Sequence, residues 1–202
     1  MAAGRDLRAC FFGDSYVAGA GDDSGLGWVG RVTADARAAG ADLTAYNLGV
    51  RGQIGPQIAW RAAAEMKARV AGGDAHALVA AFGSNDISRG LILWGSVRSA
   101  ERLIDVAARF RATPFLLSPP RFLDDPARDA QAQRMSDALA ALCMRRGVAW
   151  LDLRDEVSDW RTWWDEARAG DGAHPNGAGY ALVADAVSAW QPWRRWLGLA
   201  AV

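Results

Sequence analysis

Ser15 stands in Phe11-Phe12-Gly13-Asp14-Ser15-Tyr16, where an apolar run meets a turn of small residues. Far downstream, Asp171-Gly172-Ala173-His174-Pro175 sets a carboxylate three residues before an imidazole. A serine hydroxyl is a weak nucleophile at neutral pH and needs a base within hydrogen-bond reach. His174 can take its proton, while Asp171 can bond the other ring nitrogen, fixing the tautomer and stabilising the imidazolium. Pro175 disfavours helical backbone at His174, which suits a loop that projects the ring. A developing oxyanion needs donors aimed at it, and the Ser15 and Gly49 backbone N–H groups and the Asn85 side-chain amide are the candidates.

These residues need elements that bring them together. Leu7–Phe12, Leu43–Leu48, Leu78–Phe82, Pro114–Leu117 and Val148–Leu151 read as short apolar strands, each closed by Gly, Ser, Pro or Asp. Helical periodicity fills the intervals, over Trp28–Ala39, Pro56–Val70, Ser96–Arg111 and Asp129–Arg146. A last helix starts after Asn176, a good N-cap, and runs toward Trp190. Such alternation implies right-handed crossovers and a parallel sheet covered on both faces, in one α/β domain over residues 1–202. Sites in open parallel sheets form outside the C-terminal strand ends. Ser15, Asn47-Leu48-Gly49, Gly83-Ser84-Asn85-Asp86 and Ser118-Pro119-Pro120 follow successive strands and so share one rim. The chain has two histidines, and His76 precedes the third strand on the opposite rim, leaving His174 as the base.

Composition removes several classes of function. The 23 basic and 23 acidic residues cancel and are mixed throughout, so neither a nucleic-acid stripe nor a polybasic membrane patch is expected. Two cysteines, Cys10 and Cys143, make no disulfide framework or zinc site, and one imidazole on the rim is too few for a metallohydrolase. No cofactor or metal is expected. Gly19-x-Gly21 is followed by Asp22-Asp23, which repels a pyrophosphate, and the sole lysine, Lys67, is in no phosphate loop. The G-x-S-x-G elbow fails because Val17 stands where its second glycine belongs. Met1 to Asp6 carries no apolar leader and no run reaches membrane-span length, so a cytoplasmic protein without stable membrane insertion is the expectation.

Gly13-Asp14-Ser15, Gly49, Gly83-Ser84-Asn85-Asp86 and Asp171-x-x-His174-Pro175, taken as a set from residue 7 to about 185, resemble the four signature blocks of the GDSL or SGNH hydrolases. The resemblance implies a flavodoxin-like three-layer α/β/α sandwich with five parallel strands. It also implies a Ser15–His174–Asp171 triad, an oxyanion hole of Ser15, Gly49 and Asn85, and a small-molecule acyl ester, thioester or lysophospholipid as substrate, with the acyl length left open. Tyr16 replaces the leucine of the family name, and Ser84 stands where threonine is common. The stretch Phe11–Arg31 is similar to a bacterial branch of esterases. An acyltransferase, a carbohydrate O-deacetylase and a non-catalytic binding protein are the alternatives on the same fold.

Substrate contacts are sought among the aromatic and cationic residues near the rim. Trp160, Trp163 and Trp164 recur on one helical face before the Asp171 loop, either as core packing or as an aromatic wall. Trp94, in Leu91-Ile92-Leu93-Trp94, is a second apolar candidate. Arg51 and Arg89 flank Gly49 and Asn85 and can pair with an anionic group. Asp14 and Asp86 are read as carboxylates that hold turns through local hydrogen bonds. Trp190, Trp193 and Trp196 suit packing or self-association rather than substrate; no oligomeric state follows from the sequence.

Overall fold

A computed structural model describes residues 5–200. Met1 to Gly4, part of the segment read as leaderless and of the 1–202 domain span, lie outside the described residues, as do 201 and 202. The order is β1 (Leu7–Gly13), α1 (Ser15–Ala18), α2 (Gly27–Ala38), β2 (Leu43–Gly49), α3 (Gly55–Arg69), β3 (Ala75–Ala81), α4 (Ser84–Ser88), α5 (Leu93–Arg109), β4 (Ala112–Leu117), α6 (Pro126–Arg146), β5 (Ala149–Leu151), α7 (Leu153–Glu156), α8 (Trp160–Ala169), α9 (Gly177–Ala189) and α10 (Gln191–Leu197).

The five strands form one parallel sheet in the order β2-β1-β3-β4-β5. From β1 the chain winds first to β2 on one side, then back to β3 and outward on the other. The reversal opens a crevice at the C-terminal ends of β1 and β3, where ligands bind in such sheets. Strand β1 is apolar almost throughout, because a central parallel strand is covered on both faces. Its successive side chains go to opposite layers. Phe11 packs edge-on against Trp28 of α2 and Trp193 of α10, while Phe12 lies under Arg61 of α3. Helices α3, α5 and α6 pack side by side, and α2, α8, α9 and α10 pack together as the second layer.

Element ends follow local chemistry. Pro126 opens α6 behind Asp125, whose side chain accepts the Arg128 N–H, so this helix begins three residues earlier than its apolar period predicts. Helix α5 likewise starts at Leu93, placing Trp94 in its first turn. Strand β3 begins at Ala75, which puts His76 inside the strand; its Nε2 lies 2.7 Å from the Gly72 carbonyl on the far rim. Trp193 and Trp196 are buried against Phe115, in core packing. Cys10 and Cys143 are buried, and burial pushes both thiols up to about 12. Among the described residues no helix is long and apolar enough to cross a membrane.

Candidate active site

Strand β1 ends at Gly13, Asp14 caps α1, and Ser15 is the first residue of that helix. Asp14 accepts the Tyr16 N–H at 2.9 Å, which fixes the turn and directs Ser15 into the crevice. His174 arrives from the loop between α8 and α9. Its Nε2 lies 2.8 Å from Ser15 Oγ, and its Nδ1 lies 2.7 Å from Asp171 Oδ2. The other carboxylate oxygen, Oδ1, accepts the backbone N–H groups of Ala173 and His174 at 3.0 and 2.9 Å. One carboxylate therefore shapes the loop and orients the ring. The His174 ring bond, then the two backbone N–H bonds, hold Asp171 well below the usual carboxylate range.

Several contacts fasten this loop. The Tyr16 hydroxyl donates to the Ala173 carbonyl at 3.0 Å, and its ring meets His174 and Trp163 edge-on at 5.5 and 5.2 Å. Asn176 exchanges hydrogen bonds with Asp23, tying the start of α9 to the segment after α1. Tyr16, which replaces the leucine of the family name, is thus in direct contact with the imidazole. An aromatic ring next to a candidate serine was the available signal.

The oxyanion side differs from expectation at one glycine. Gly49 belongs to the β2 ladder, opposite Gly13, and its N–H donates to Asn47 Oδ1 at 3.0 Å. Its α-carbon is pressed on α1, where a side chain would meet the Ala18 nitrogen at 2.1 Å. Gly49 does not line the cleft; Gly52, three residues on, does. Gly52 has φ +74°, a left-handed backbone that glycine adopts freely, and its carbonyl accepts Arg89 Nη2 at 2.7 Å. Among the described residues neither the Gly52 nor the Ser15 N–H has a hydrogen-bond partner. Asn85, in α4, donates through Nδ2 to Asp14 Oδ2 at 3.2 Å and the Gln53 carbonyl at 3.1 Å. Those two long bonds hold its amide at the cleft wall.

Beneath this wall Asp14 is only 2% exposed, and burial pushes its carboxyl up to about 7, with the Asp86 charge adding to the rise. Asp86 is raised too, by burial, against bonds from the Gly55 N–H at 2.9 Å and Ser96 Oγ at 2.8 Å. Both carboxylates hold turns, as expected.

The resulting cleft has a volume of about 440 Å³ and is lined by Ser15, Tyr16, Arg51, Gly52, Ser84, Asn85, Ser88, Arg128, Ala173 and His174. Of the expected substrate contacts, Arg51 alone lines it. Arg89 acts one step back, on the Gly52 peptide. Trp94 is 58% exposed under Arg98 and lies off the cleft, because the earlier start of α5 turns it to the surface. Trp160, Trp163 and Trp164 are buried: their face of α8 packs on Tyr16, Tyr180 and Phe122. Arg128, which sequence reasoning passed over, reaches the cleft from the first turn of α6. A cavity of comparable size, about 490 Å³ beside β5, is lined by Trp150, Asp152, Glu156, Asp185 and Trp190 among others and contains neither histidine. Ser158 also lines it, but among the described residues its hydroxyl is hydrogen-bonded to no base, so the chemistry points to the Ser15 cleft.

The model of the GDSL-like lipase/acylhydrolase family matches residues 11–182. No curated protein matches by sequence. Many solved structures share the fold. Axe2, an acetylxylan esterase from Geobacillus stearothermophilus, superposes with a TM-score of 0.73 at 18% identity, covering 99% of this chain and 98% of its own. TesA gives 0.75 at 20% identity over 95% and 99%. A member of the lipolytic protein G-D-S-L family from Veillonella parvula gives 0.70 at 19% over 90% and 96%.

Proposed function

The chain belongs to the GDSL-like lipase/acylhydrolase family and is an ester hydrolase, and from that premise we propose that it works through an acyl-Ser15 intermediate. Ser15 Oγ attacks the ester carbonyl carbon as its proton passes to His174 Nε2, and the carbonyl electron pair moves onto oxygen. That oxyanion is received by the Ser15 and Gly52 N–H groups and by the Asn85 amide, which turns one N–H from its bond to the Gln53 carbonyl toward the cleft, Gly52 taking the part first expected of Gly49. Preorganised donors of this kind are typically worth about 3–4 kcal/mol each. Collapse expels the alcohol oxygen, which takes the proton from His174. A water then gives its proton to His174 and attacks the acyl carbon, and Ser15 recovers its proton as the acid leaves. Asp171 keeps the ring in the required tautomer throughout.

The observation that carries this reading is the continuous chain from Ser15 Oγ to His174 at 2.8 Å and from His174 to Asp171 at 2.7 Å. We read the acyl group as short and the alcohol as polar because, among the described residues, no Leu, Ile, Val or Phe side chain lines the cleft itself. That favours a small-acyl esterase, with an acylated sugar among its substrates, over a long-chain lipase. Hydrolysis of p-nitrophenyl esters from acetate to palmitate, with Ser15→Ala and His174→Ala beside the wild type, tests it. Turnover is expected to peak at the shortest acyl groups and to fall by at least about 10³-fold in each variant. Activity retained in His174→Ala rejects the mechanism, and an optimum at long chains rejects the short-acyl assignment.

A further inference from the structure

Arg128 occupies the first turn of α6, a helix of 21 residues, two positions beyond Pro126. A cation there opposes the helix dipole, which favours negative charge at that end. Its neighbour Arg154 reaches the same turn and is paired with Asp129 at 2.9 Å. Arg128 has no carboxylate partner among the described residues. Its guanidinium instead lies 4.0 Å from the Phe122 ring centroid, and Nη2 donates to Ser88 Oγ and, at 3.5 Å, to the Ser84 carbonyl. Its Nε is buried with no hydrogen-bond partner. Stacking, one hydroxyl and one carbonyl hold the group, and none of them carries a compensating charge.

Arg51, on the loop after β2, is the second guanidinium among the described cleft residues. Its nearest acid is Asp171 at 3.8 Å, a carboxylate already engaged by His174 and two backbone N–H groups. Among the described residues no Asp or Glu lines the cleft. Two guanidinium groups beside a reacting serine, Arg128 with no carboxylate partner among the described residues and Arg51 with only the long contact to Asp171, make a site for an anionic oxygen group, which arginine binds through N–H donors.

We propose that this cleft selects esters bearing a carboxylate or similar anionic oxygen group, and that Arg128, assisted by Arg51, is the residue that recognises it. The inference rests on the acyl-Ser15 mechanism above. Two matched pairs of esters test it, each rate normalised to its hydrolysis by hydroxide. Mono-4-nitrophenyl glutarate against 4-nitrophenyl butyrate puts the charge on the acyl side; 4-acetoxybenzoate against its methyl ester puts it on the alcohol side. The wild type is expected to favour the anionic member of at least one pair by about tenfold or more in kcat/KM, a preference that shrinks with added salt. In Arg128→Gln the ratio of anionic to neutral kcat/KM falls toward unity, and in Arg128→Lys it falls part of the way. The ratio is taken within one preparation, so a loss of folded protein cancels. No preference in either wild-type pair, or a preference that survives in Arg128→Gln, overturns the proposal while leaving the serine mechanism in place. Absence of Ser15-dependent turnover of all these esters removes the mechanism and the inference with it.

Discussion

Two carboxylates stand on either side of Ser15, and they differ in every respect but type. Asp14, below, is buried, has no cation partner among the described residues and titrates near 7. Asp171, above, has a half-exposed side chain and is held far down the acid range by its hydrogen bonds. Perturbed titration is a common mark of functional groups, yet here the group raised by burial is not the one that meets the imidazole. Asp14 faces the oxyanion side, through Asn85, and Asp171 faces the base. Partners, rather than the degree of perturbation, separate the two roles.

The sharpest way to break this contrast is to change Asp171 to asparagine. Oδ1 is fixed by two backbone N–H donors, so the new amide nitrogen must replace Oδ2 and face His174 Nδ1. A donor there forces Nε2 to carry the proton, and the ring can no longer accept one from Ser15. Asp171→Asn should therefore lower kcat by about 10⁴, and by more than Asp171→Ala, which leaves the tautomer free. Steady-state kinetics of the two variants check the order; an asparagine variant as active as the alanine variant would falsify the assigned role of Oδ2.

On the other side, Asn85→Ala removes one oxyanion donor and should cost about 10²–10³ in kcat with a smaller change in KM. It also strips Asp14 of its amide partner, so the loss should be accompanied by reduced stability at high pH. A change confined to KM would move Asn85 from the transition state to ground-state binding.

Much of this arrangement was readable from the residues. Strand and helix alternation yields five strands, and turns that follow strands must share a rim, which brought Ser15 and Asn85 together; His174 followed as the one histidine not on the opposite rim. The misreading of Gly49 has a simple cause. Two glycines follow the second apolar run, and only the ladder shows that β2 extends to Gly49, leaving Gly52 for the loop. Arg128 was hidden for another reason: its approach depends on Phe122 and Ser88, remote from each other in sequence and joined only by packing. Its visible trace is a cation just after Asp125-Pro126, at the wrong end of a helix. The Trp160, Trp163 and Trp164 spacing marked one face of α8 but not what that face would meet.

The remaining half of the comparison is sharpened by Asp14→Asn, read as stability rather than rate. The ordinary carboxyl titrates near 3.9 in the unfolded chain, and burial raises Asp14 to about 7 in the folded protein. Between those values the folded state holds the proton and the unfolded state does not. Stability from this group is thus fully present below about pH 4 and is lost as pH rises through about 7. Three units at about 1.4 kcal/mol each set the loss at roughly 4 kcal/mol. Asn cannot ionise, so the stability difference between wild type and Asp14→Asn should shift by that order between about pH 4 and 8, in favour of the variant. Urea unfolding midpoints across the range measure it. A difference that stays flat would mean that Asp14 is ionised throughout, with the Tyr16 N–H and Asn85 amide sufficient to hold a buried charge, and the two carboxylates beside Ser15 would then be electrostatic equals.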